Sequence, residues 1–495
     1  MKDLKERAIR GGLAKAVSQA ATFIVRIGSL TILARLLEPR DFGLVGMVTA
    51  VTGILNLLRD FGLSTAAVQR DSVTNQEMSN LFWINISVGF CLSLLAAGIA
   101  PFLASFYHEP RLVAVGVVLA ASFLINALGV QHGTLLQRHM RFVALAVIDV
   151  ISLLISTALG VVVAIYGFGY WALVCVALTG PFFSSACTWM ATGWIPGRPH
   201  KQHSTQSLLR FGGTVTLNGI VVYVAYNFEK VLLGRFWGAD VVGIYGRAYQ
   251  LSNMPTENLN MSIGGVAFSA LSRLQNDPSR MRSYFLKAYS LVLALTVPIT
   301  VLCALYAPDA ISLLLGPKWS QAAPILRLLA PTILAFAMIN PFSWVLLGTG
   351  RVNRSLQISL VIAPLVMAGY LIGLAYGPKG VALGYSIAMT LWVVPNIFWC
   401  IRGTLITALD AFRTLGRPML SSLAAMVLPL TLQTAHLSAA SPFIRLGVGG
   451  TLFLVVYAWM LLYVMGQKEL YLDILKSLKR RRFVEESALA DNLAT

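Results

Sequence analysis

Long apolar stretches, each long enough to cross a bilayer, alternate with short polar segments along the whole chain. A helix needs about 20 predominantly apolar residues to cross the roughly 30 Å hydrocarbon core of a membrane. The two-residue alternation of a membrane barrel does not occur, so we predict helices. The pattern indicates an all-α integral membrane protein with about fourteen spans, approximately at residues 13–34, 42–58, 81–105, 112–130, 143–165, 171–192, 211–233, 243–265, 285–306, 325–347, 355–375, 380–401, 418–435 and 443–465.

A sequence repeat relates the two halves of this pattern. Leu33–Gly46 aligns without a gap to Leu233–Gly246, with identical residues at positions 33/233, 35/235, 43/243 and 46/246. A weaker echo relates Pro101–Arg138 to Pro308–Arg351. Internal repeats in a membrane protein predict two homologous helical lobes that face a common site, as in many transporters.

The repeat and the longest polar segment inside the bundle suggest the domain boundaries. We predict an N-lobe of six spans, a cytoplasmic linker rich in proline and basic residues, a C-lobe of six spans, two further spans and a basic tail, at residues 1–192, 193–210, 211–401, 402–465 and 466–495. The tail has apolar residues at helical spacing, which favours an amphipathic helix on an anionic leaflet. A plain cluster of stop-transfer charges is the alternative.

Composition and charge agree with a membrane protein. Hydrophobic residues make up 57% of the 495 residues, charged residues 12%, and the formal net charge is +18. With the N-terminus in the cytoplasm, most of the 38 lysines and arginines fall on the cytoplasmic side. The positive-inside rule then places both termini in the cytoplasm, so the basic charge reflects topology and does not indicate nucleic-acid binding.

The sequence lacks the common motifs of soluble enzymes. No GxxxxGK[ST] loop, HExxH or GxSxG motif occurs, and the five cysteines have no CxxC spacing. The external loops are too short for a catalytic domain. We therefore expect no enzymatic activity, no cofactor and no metal site.

The first span carries a polar stripe. Lys15, Gln19, Thr22, Arg26 and Ser29 recur at spacings that place them on one helix face. A lipid-facing charge at the position of Arg26, in mid-span, would cost roughly 3 kcal/mol. We therefore expect the stripe to line a wet substrate cavity; hydrogen bonding of Arg26 between helices is the alternative.

The seventh span, the repeat partner of the first, supplies a second set of candidates. Tyr223, Asn227 and Lys230 share a face, and Glu229 lies beside it. Tyrosine, amide and charged side chains suit sugar hydroxyls and phosphates. Glu229 and Lys230 lie close to the predicted external end, so snorkelling to the interface is the alternative.

Two smaller polar groups complete the candidate cavity. Asn56 and Arg59 lie at the predicted cytoplasmic end of the second span, where Arg59 also has an acidic sequence neighbour for a local ion pair. Glu257 and Asn258 follow Pro255 in the eighth span. A proline-interrupted helix often lines a transport path, although Pro255 is equally compatible with a simple kink.

Three runs carry a family resemblance. They are ARLLEPRDFGLVGMV at Ala34–Val48, RDFGLSTAAVQR at Arg59–Arg70, and the long run Tyr245–Phe285. These runs resemble bacterial polysaccharide transporters, the Wzx-like oligosaccharide flippases of the multidrug/oligosaccharidyl-lipid/polysaccharide superfamily. The resemblance extends over the whole chain and is strongest to exopolysaccharide exporters of the colanic-acid and succinoglycan type.

The resemblance implies a flippase of the bacterial inner membrane with two six-helix lobes in a V around a central cavity. Its expected substrate is an undecaprenyl-diphosphate-linked oligosaccharide repeat unit, moved by alternating access for exopolysaccharide biosynthesis. Membrane lipids and the polymerase and export components of such a pathway are the expected partners. No functional residue is transferred from the family, because its arginines share no motif alignable here.

Three other classes of membrane protein are alternatives to a flippase. A cation-coupled drug or small-molecule antiporter of the same fold needs acidic residues in its cavity, whereas the deepest charge here is Arg26. A membrane enzyme acting on lipid-linked sugars needs a large external loop. A non-transporting scaffold does not account for the polar stripe.

Overall fold

The chain forms helices over most of its length. The structure, a computed structural model, describes residues 2–59, 74–198, 206–435 and 440–473. In these residues there is no strand, and a short 3-10 turn covers Pro317–Trp319. The helices are α1 (Lys2–Leu36), α2 (Pro39–Leu58), α3 (Asn75–Tyr107), α4 (Arg111–Arg138), α5 (Phe142–Ile165), α6 (Trp171–Thr192), α7 (Gln206–Arg273), α8 (Pro278–Leu305), α9 (Ala307–Leu314), α10 (Ala322–Gly348), α11 (Val352–Leu374), α12 (Gly377–Ile401), α13 (Ala408–Ala435) and α14 (Pro442–Val464).

The helices confirm the predicted class. Eleven helices in the described residues are long and apolar enough to cross a membrane. The other three predicted spans, 211–233, 243–265 and 418–435, also lie on helix, the first two within α7 and the third within α13. At Gly238, φ is +81°, which a residue with a Cβ rarely adopts. This glycine divides α7 into α7a (206–237) and α7b (239–273), as the two separate predicted spans require.

The contacts divide the chain into two compact units. The first unit comprises Met1–Tyr249, Leu314–Ile325 and Leu356–Ala388, and the second comprises Gln250–Leu313, Leu326–Ser355 and Met389–Thr495. The lobe, linker and tail boundaries suggested by the sequence stay a prediction. Parts of the linker and of the basic tail, residues 199–205 and 474–495, lie outside the described residues.

In the first unit, the helices of the N-terminal half pack on one another in pairs. α3 packs on α4, α5 on α6, α4 on α6 and α1 on α5. Helix ends follow local sequence signals: Thr74 and Glu77 form a reciprocal capping box at the start of α3, with bonds of 3.2 and 2.8 Å. Pro39 begins α2, where its missing N–H is no loss.

The two copies of the sequence repeat pack directly on each other in the first unit. A Cβ added to Gly43 on α2 would overlap the carbonyl group of Ala239, and one added to Gly243 on α7b would overlap the carbonyl oxygen of Pro39. Two helix backbones approach this closely only where both lack side chains. The repeat glycines at positions 43 and 243 are therefore the contact that joins the repeats.

A short segment between α9 and α10 packs against the first repeat copy. Trp319 is fully buried, its indole N–H donates to the carbonyl oxygen of Ala34 at 2.8 Å, and its ring meets Phe42 edge-on at 5.2 Å. Lys318 forms an ion pair with Glu38, with Nζ and Oε1 2.6 Å apart. The segment between α9 and α10 thus packs against the turn between α1 and α2.

α11 and α12 cross through two small-residue motifs. Gly369 and Gly373 on α11 face Gly384 and Gly380 on α12, and a Cβ on Gly373, Gly380 or Gly384 would overlap the backbone opposite. Paired GxxxG motifs let membrane helices approach through their backbones and gain van der Waals contact. This crossing holds the aromatic residues next to the glycines in fixed positions.

The second unit has its own apolar core. α8, α13 and α14 pack on one another around buried residues Ala294, Ala425, Phe453, Tyr457 and Leu461. The Tyr457 hydroxyl donates to the carbonyl oxygen of Ala294 at 2.7 Å, so the phenol is satisfied inside the core. The last two predicted spans are therefore integrated with α8 and are not loosely appended.

Candidate functional site

The polar stripe of α1 lies partly open and partly against α5. Arg26 is exposed, whereas Gln19, Thr22 and Ser29 are half-buried. The Ser29 hydroxyl accepts a hydrogen bond of 3.2 Å from the hydroxyl of Thr157 on α5. The side chain of Lys15 lies outside the described residues. One end of the stripe is thus anchored to α5, while its central arginine remains accessible.

Asp149 on α5 adds an acidic group to this patch. It interacts electrostatically with Arg26, and both side chains are exposed. Exposing two opposite charges on adjoining membrane helices to lipid costs free energy, whereas contact of these charges with water or with each other is favourable. Arg26, Ser29, Asp149 and Thr157 therefore form a polar patch on the α1–α5 pair, which we call the arginine patch.

The candidates on α7a form a separate hydrogen-bonded chain. The Tyr223 hydroxyl donates to the carbonyl oxygen of Thr49 on α2 at 2.8 Å. Asn227 donates from Nδ2 to the Tyr223 carbonyl oxygen at 2.9 Å, and Lys230 donates from Nζ to Asn227 Oδ1 at 2.7 Å. All three side chains are half-buried. The ammonium group is held along α7a, and the tyrosine joins α7a to α2.

The same tyrosine explains a glycine on α2. A Cβ on Gly53 would overlap the Tyr223 hydroxyl. The hydroxyl can therefore reach the backbone of α2 only because residue 53 has no side chain. Removing the ring would leave a gap and lose the bond to the Thr49 carbonyl oxygen. Tyr223 thus has a packing role in this structure in addition to its predicted place in the cavity.

Glu229 differs from the other candidates because it is completely enclosed. Its side chain has no exposed surface, and neither carboxylate oxygen has a hydrogen-bond partner in the described residues. Tyr245 on α7b and Tyr370 on α11 lie within electrostatic range. Tyr385 on α12 stacks on Tyr370 with centroids 5.2 Å apart. The carboxyl group is therefore buried in the first unit and interacts electrostatically with Tyr245 and Tyr370.

The smaller candidate groups are placed as follows. Asn56 is exposed near the end of α2, and Arg59, half-buried, follows the last turn of that helix. In the second unit Glu257 is exposed, while Asn258 donates to the carbonyl oxygen of Met254 at 2.6 Å. α7b stays helical through Pro255. The helix break within α7 is at Gly238, and Asn258 supports the backbone near the proline.

Apart from Lys15, Gln19, Thr22, Asn56 and Arg59, the first-unit candidates fall into three arrangements. These are the arginine patch, the Tyr223–Asn227–Lys230 chain and the enclosed Glu229. The sequence stripe identified Arg26 but not Thr157, because a hydroxyl inside an apolar span carries no spacing signal of its own. The tyrosines around Glu229 were missed for the same reason. As substrate-binding residues, all the candidates stay predictions.

Comparison with known proteins agrees with the resemblance seen in the sequence. Residues 32–324 match a family described as polysaccharide biosynthesis protein. The lipopolysaccharide biosynthesis protein WzxC of Escherichia coli strain K12 is 26% identical over 412 residues, which cover 81% of this chain and 82% of that protein. The predicted resemblance to Wzx-like transporters is thus confirmed.

Solved structures with the same fold are transporters. The lipid II flippase MurJ in an inward closed conformation superposes with a TM-score of 0.75 at 13% identity, covering 94% of this chain and all of that one. An inward-facing multidrug resistance MATE transporter gives 0.64 at 15% identity, with 79% and 97% covered. These identities show the fold alone. With more than half of its length matched, the chain belongs to the polysaccharide biosynthesis protein family.

Proposed function

We propose that the protein is a flippase that moves undecaprenyl-diphosphate-linked oligosaccharide repeat units across the bacterial inner membrane by alternating access. The observation that carries this proposal is the exposed Arg26 in the middle of a membrane helix, beside hydroxyl groups. A diphosphate headgroup needs cationic hydrogen-bond donors, and sugar hydroxyls need polar partners. The family match and the fold shared with a lipid II flippase support the same class of substrate.

In this proposal the protein lowers the cost of moving a charged, hydrated headgroup through hydrocarbon. Arg26 pairs with phosphate oxygens through its planar guanidinium, and Gln19, Thr22 and Ser29 offer polar groups along the same face. The prenyl chain stays in lipid. Both termini lie in the cytoplasm, and the assembled repeat unit enters from that side.

Alternating access requires contacts that form in one state and separate in the other. The crossing of Gly43 and Gly243 joins the two repeat copies at the ends predicted to be external. The ion pair of Lys318 with Glu38 lies at the same end. In this proposal these contacts hold the predicted external ends of the repeats together in one state, and they separate in the other state.

Deleting the gene tests the proposal. We expect the lipid-linked repeat unit to be completed but to stay on the cytoplasmic leaflet, because its synthesis needs cytoplasmic glycosyltransferases and its polymerisation needs the periplasmic face. Leaflet-specific labelling of the intermediate measures this directly. Repeat units that reach the periplasmic leaflet at the normal rate would contradict a flippase, and units that reach it unpolymerised would indicate a role in polymerisation.

A cation-coupled drug antiporter is the second candidate, and the enclosed Glu229 is the observation that favours it. A buried carboxyl group without a hydrogen-bond partner can bind a proton or a cation, because either one removes its unpaired negative charge. The fold likeness to a MATE transporter is compatible with this candidate as well. The two candidates differ in what Glu229 should do for drug resistance.

Replacing Glu229 with glutamine separates the candidates. We expect Glu229→Gln to leave resistance to cationic drugs unchanged and to stabilise the purified protein by about 1 kcal/mol, because an amide carries no charge to bury. Thermal unfolding in detergent and drug-susceptibility assays measure the two effects. Loss of resistance together with loss of cation-dependent drug efflux would favour the antiporter.

A further inference from the structure

The second unit contains a polar recess that the proposed transport path does not use. It has a volume of about 290 Å³ and lies where residues near the beginnings of α8 and α13 meet the segment that follows α14. Lys287, Arg413 and Arg417 line it together with Ser290 and Gln467. Three positively charged side chains thus converge on one concave surface.

The acidic group in the recess does not neutralise these three charges. Asp410 is held by Arg282 in a two-point ion pair, with Nε–Oδ2 and Nη2–Oδ1 distances of 2.9 and 2.7 Å. This bidentate contact lowers the pKa of Asp410 to about 2. In the described part of the chain, no ion pair includes Lys287, Arg413 or Arg417.

Uncharged polar side chains lie beside the three positive charges of the recess. The hydroxyls of Ser290 and Tyr471 are hydrogen-bonded at 3.0 Å, and Gln467 is buried beside them. Arg417 interacts electrostatically with the Tyr471 hydroxyl. Donor groups on fixed helices around a cationic concavity suit a phosphate group, which offers several acceptor oxygens.

The surroundings of the recess distinguish a lipid from a free ion. Leu420, Leu423 and Val427 follow Arg417 along α13 and are strongly exposed. An apolar helix surface of this kind adjoins lipid chains in a membrane. A lipid with its headgroup in the recess can therefore lay its acyl chains along α13, whereas a free phosphate gains nothing from that surface.

The predicted topology places the recess at an anionic surface. The segments around residues 283–290, 410–417 and 467–470 are each predicted to lie at the cytoplasmic end of a span. Anionic lipids in the cytoplasmic leaflet attract basic residues near the surface. Three segments far apart in the sequence thus meet at the membrane level where anionic headgroups lie.

We propose that Lys287, Arg413 and Arg417 form a binding site for the phosphate group of an anionic phospholipid in the cytoplasmic leaflet. The site is distinct from the arginine patch and independent of the transported substrate. An occupied site would connect α8, α13 and the segment after α14 through one headgroup. The C-terminal helices would then be anchored to the leaflet by a lipid as well as by their own packing.

The test measures phosphatidylglycerol binding to the full-length protein in phosphatidylcholine nanodiscs. We expect saturable binding, weakened at least about tenfold in the Lys287→Gln/Arg413→Gln/Arg417→Gln variant, because each basic residue near a phosphate contributes to affinity. Arg280→Gln, which removes a charge from the exposed beginning of α8, is the matched control and should bind as the unmodified protein does.

A charge-conserving variant and competition with inorganic phosphate complete the test. Arg413→Lys/Arg417→Lys retains the charges and should retain most of the binding, which separates charge from misfolding. Equal phosphatidylglycerol affinity in the triple glutamine variant and the unmodified protein would overturn the site. Displacement of the lipid by inorganic phosphate at comparable concentration would overturn the assignment to a lipid, because the phosphate would then suffice as ligand.

Discussion

Replacing Gly43 or Gly243 with alanine is expected to destabilise the protein more than any other single methyl addition among the repeat glycines. Each new Cβ would overlap a backbone carbonyl across the contact between α2 and α7b, and backbone cannot rotate away as a flexible side chain can. Overpacking of a tight contact costs about 3 kcal/mol at the upper end of its usual range. Thermal unfolding of the purified protein and the level of exported polymer measure the loss.

The repeat itself supplies matched controls. Gly46 lies one helical turn from Gly43, and a Cβ there would meet a side-chain methyl of Val242 at an ordinary 3.4 Å. A Cβ on Gly246 would have open space within 4 Å. Gly46→Ala and Gly246→Ala should therefore leave stability within about 0.5 kcal/mol of the original, or raise it slightly. Equal effects at all four glycines would contradict the observed contact.

The same glycines show what the sequence could and could not predict. Ungapped identity at positions 43/243 and 46/246 predicted a repeat, and hence two related segments. It did not indicate that Gly43 and Gly243 make the backbone contact, whereas a Cβ on Gly46 would meet only a side-chain methyl and one on Gly246 only open space. Residue identity does not show which way a position on a helix faces. The rotation of a helix about its own axis decides which residues face a neighbouring helix. This rotation depends on packing in the folded protein, and identical residues in two repeats do not determine it.

Membrane spans were predictable for a simple physical reason. In hydrocarbon, the polar backbone groups must form their hydrogen bonds within the helix itself. The length and the apolar character of a span can therefore be recognised from its own residues. The separation of 211–233 from 243–265 was predicted from composition, and its cause, the positive φ of Gly238, is visible in the structure. The fold class was therefore predictable, and it is confirmed by the helices and by the shared transporter fold.

The candidate site was less predictable because side-chain partners come from distant segments. Spacing placed Tyr223, Asn227 and Lys230 on one face, and they do form a connected chain. Spacing did not predict that Tyr223 would bond to the backbone of α2. Because Glu229 and Lys230 lie close to the predicted external end of the span, the sequence left snorkelling to the interface as an alternative to a place in the cavity, whereas the carboxyl group of Glu229 is fully enclosed.

Arg26, whose side chain is exposed in the middle of α1, is the predicted substrate-binding residue on which the proposed function depends most. If the guanidinium binds the substrate diphosphate, Arg26→Ala should abolish polymer export at normal protein abundance in the membrane. Loss of a desolvated, bidentate phosphate contact removes about 2–3 kcal/mol, close to a hundredfold in binding. Arg26→Lys should keep partial export, since the charge survives but the planar two-point geometry does not.

Asp149 provides the control that separates substrate binding from a structural role. Because it interacts electrostatically with Arg26, the alanine variant would leave an acidic group in the patch without its cation. The double variant Arg26→Ala/Asp149→Asn removes that imbalance while leaving Ser29 and Thr157 joined. If Arg26 binds phosphate, the double variant should remain inactive, since neutralising Asp149 restores no donor for the substrate. Recovery of export in the double variant would show instead that Arg26 serves to neutralise Asp149, and normal export in Arg26→Ala would remove the arginine from the mechanism altogether.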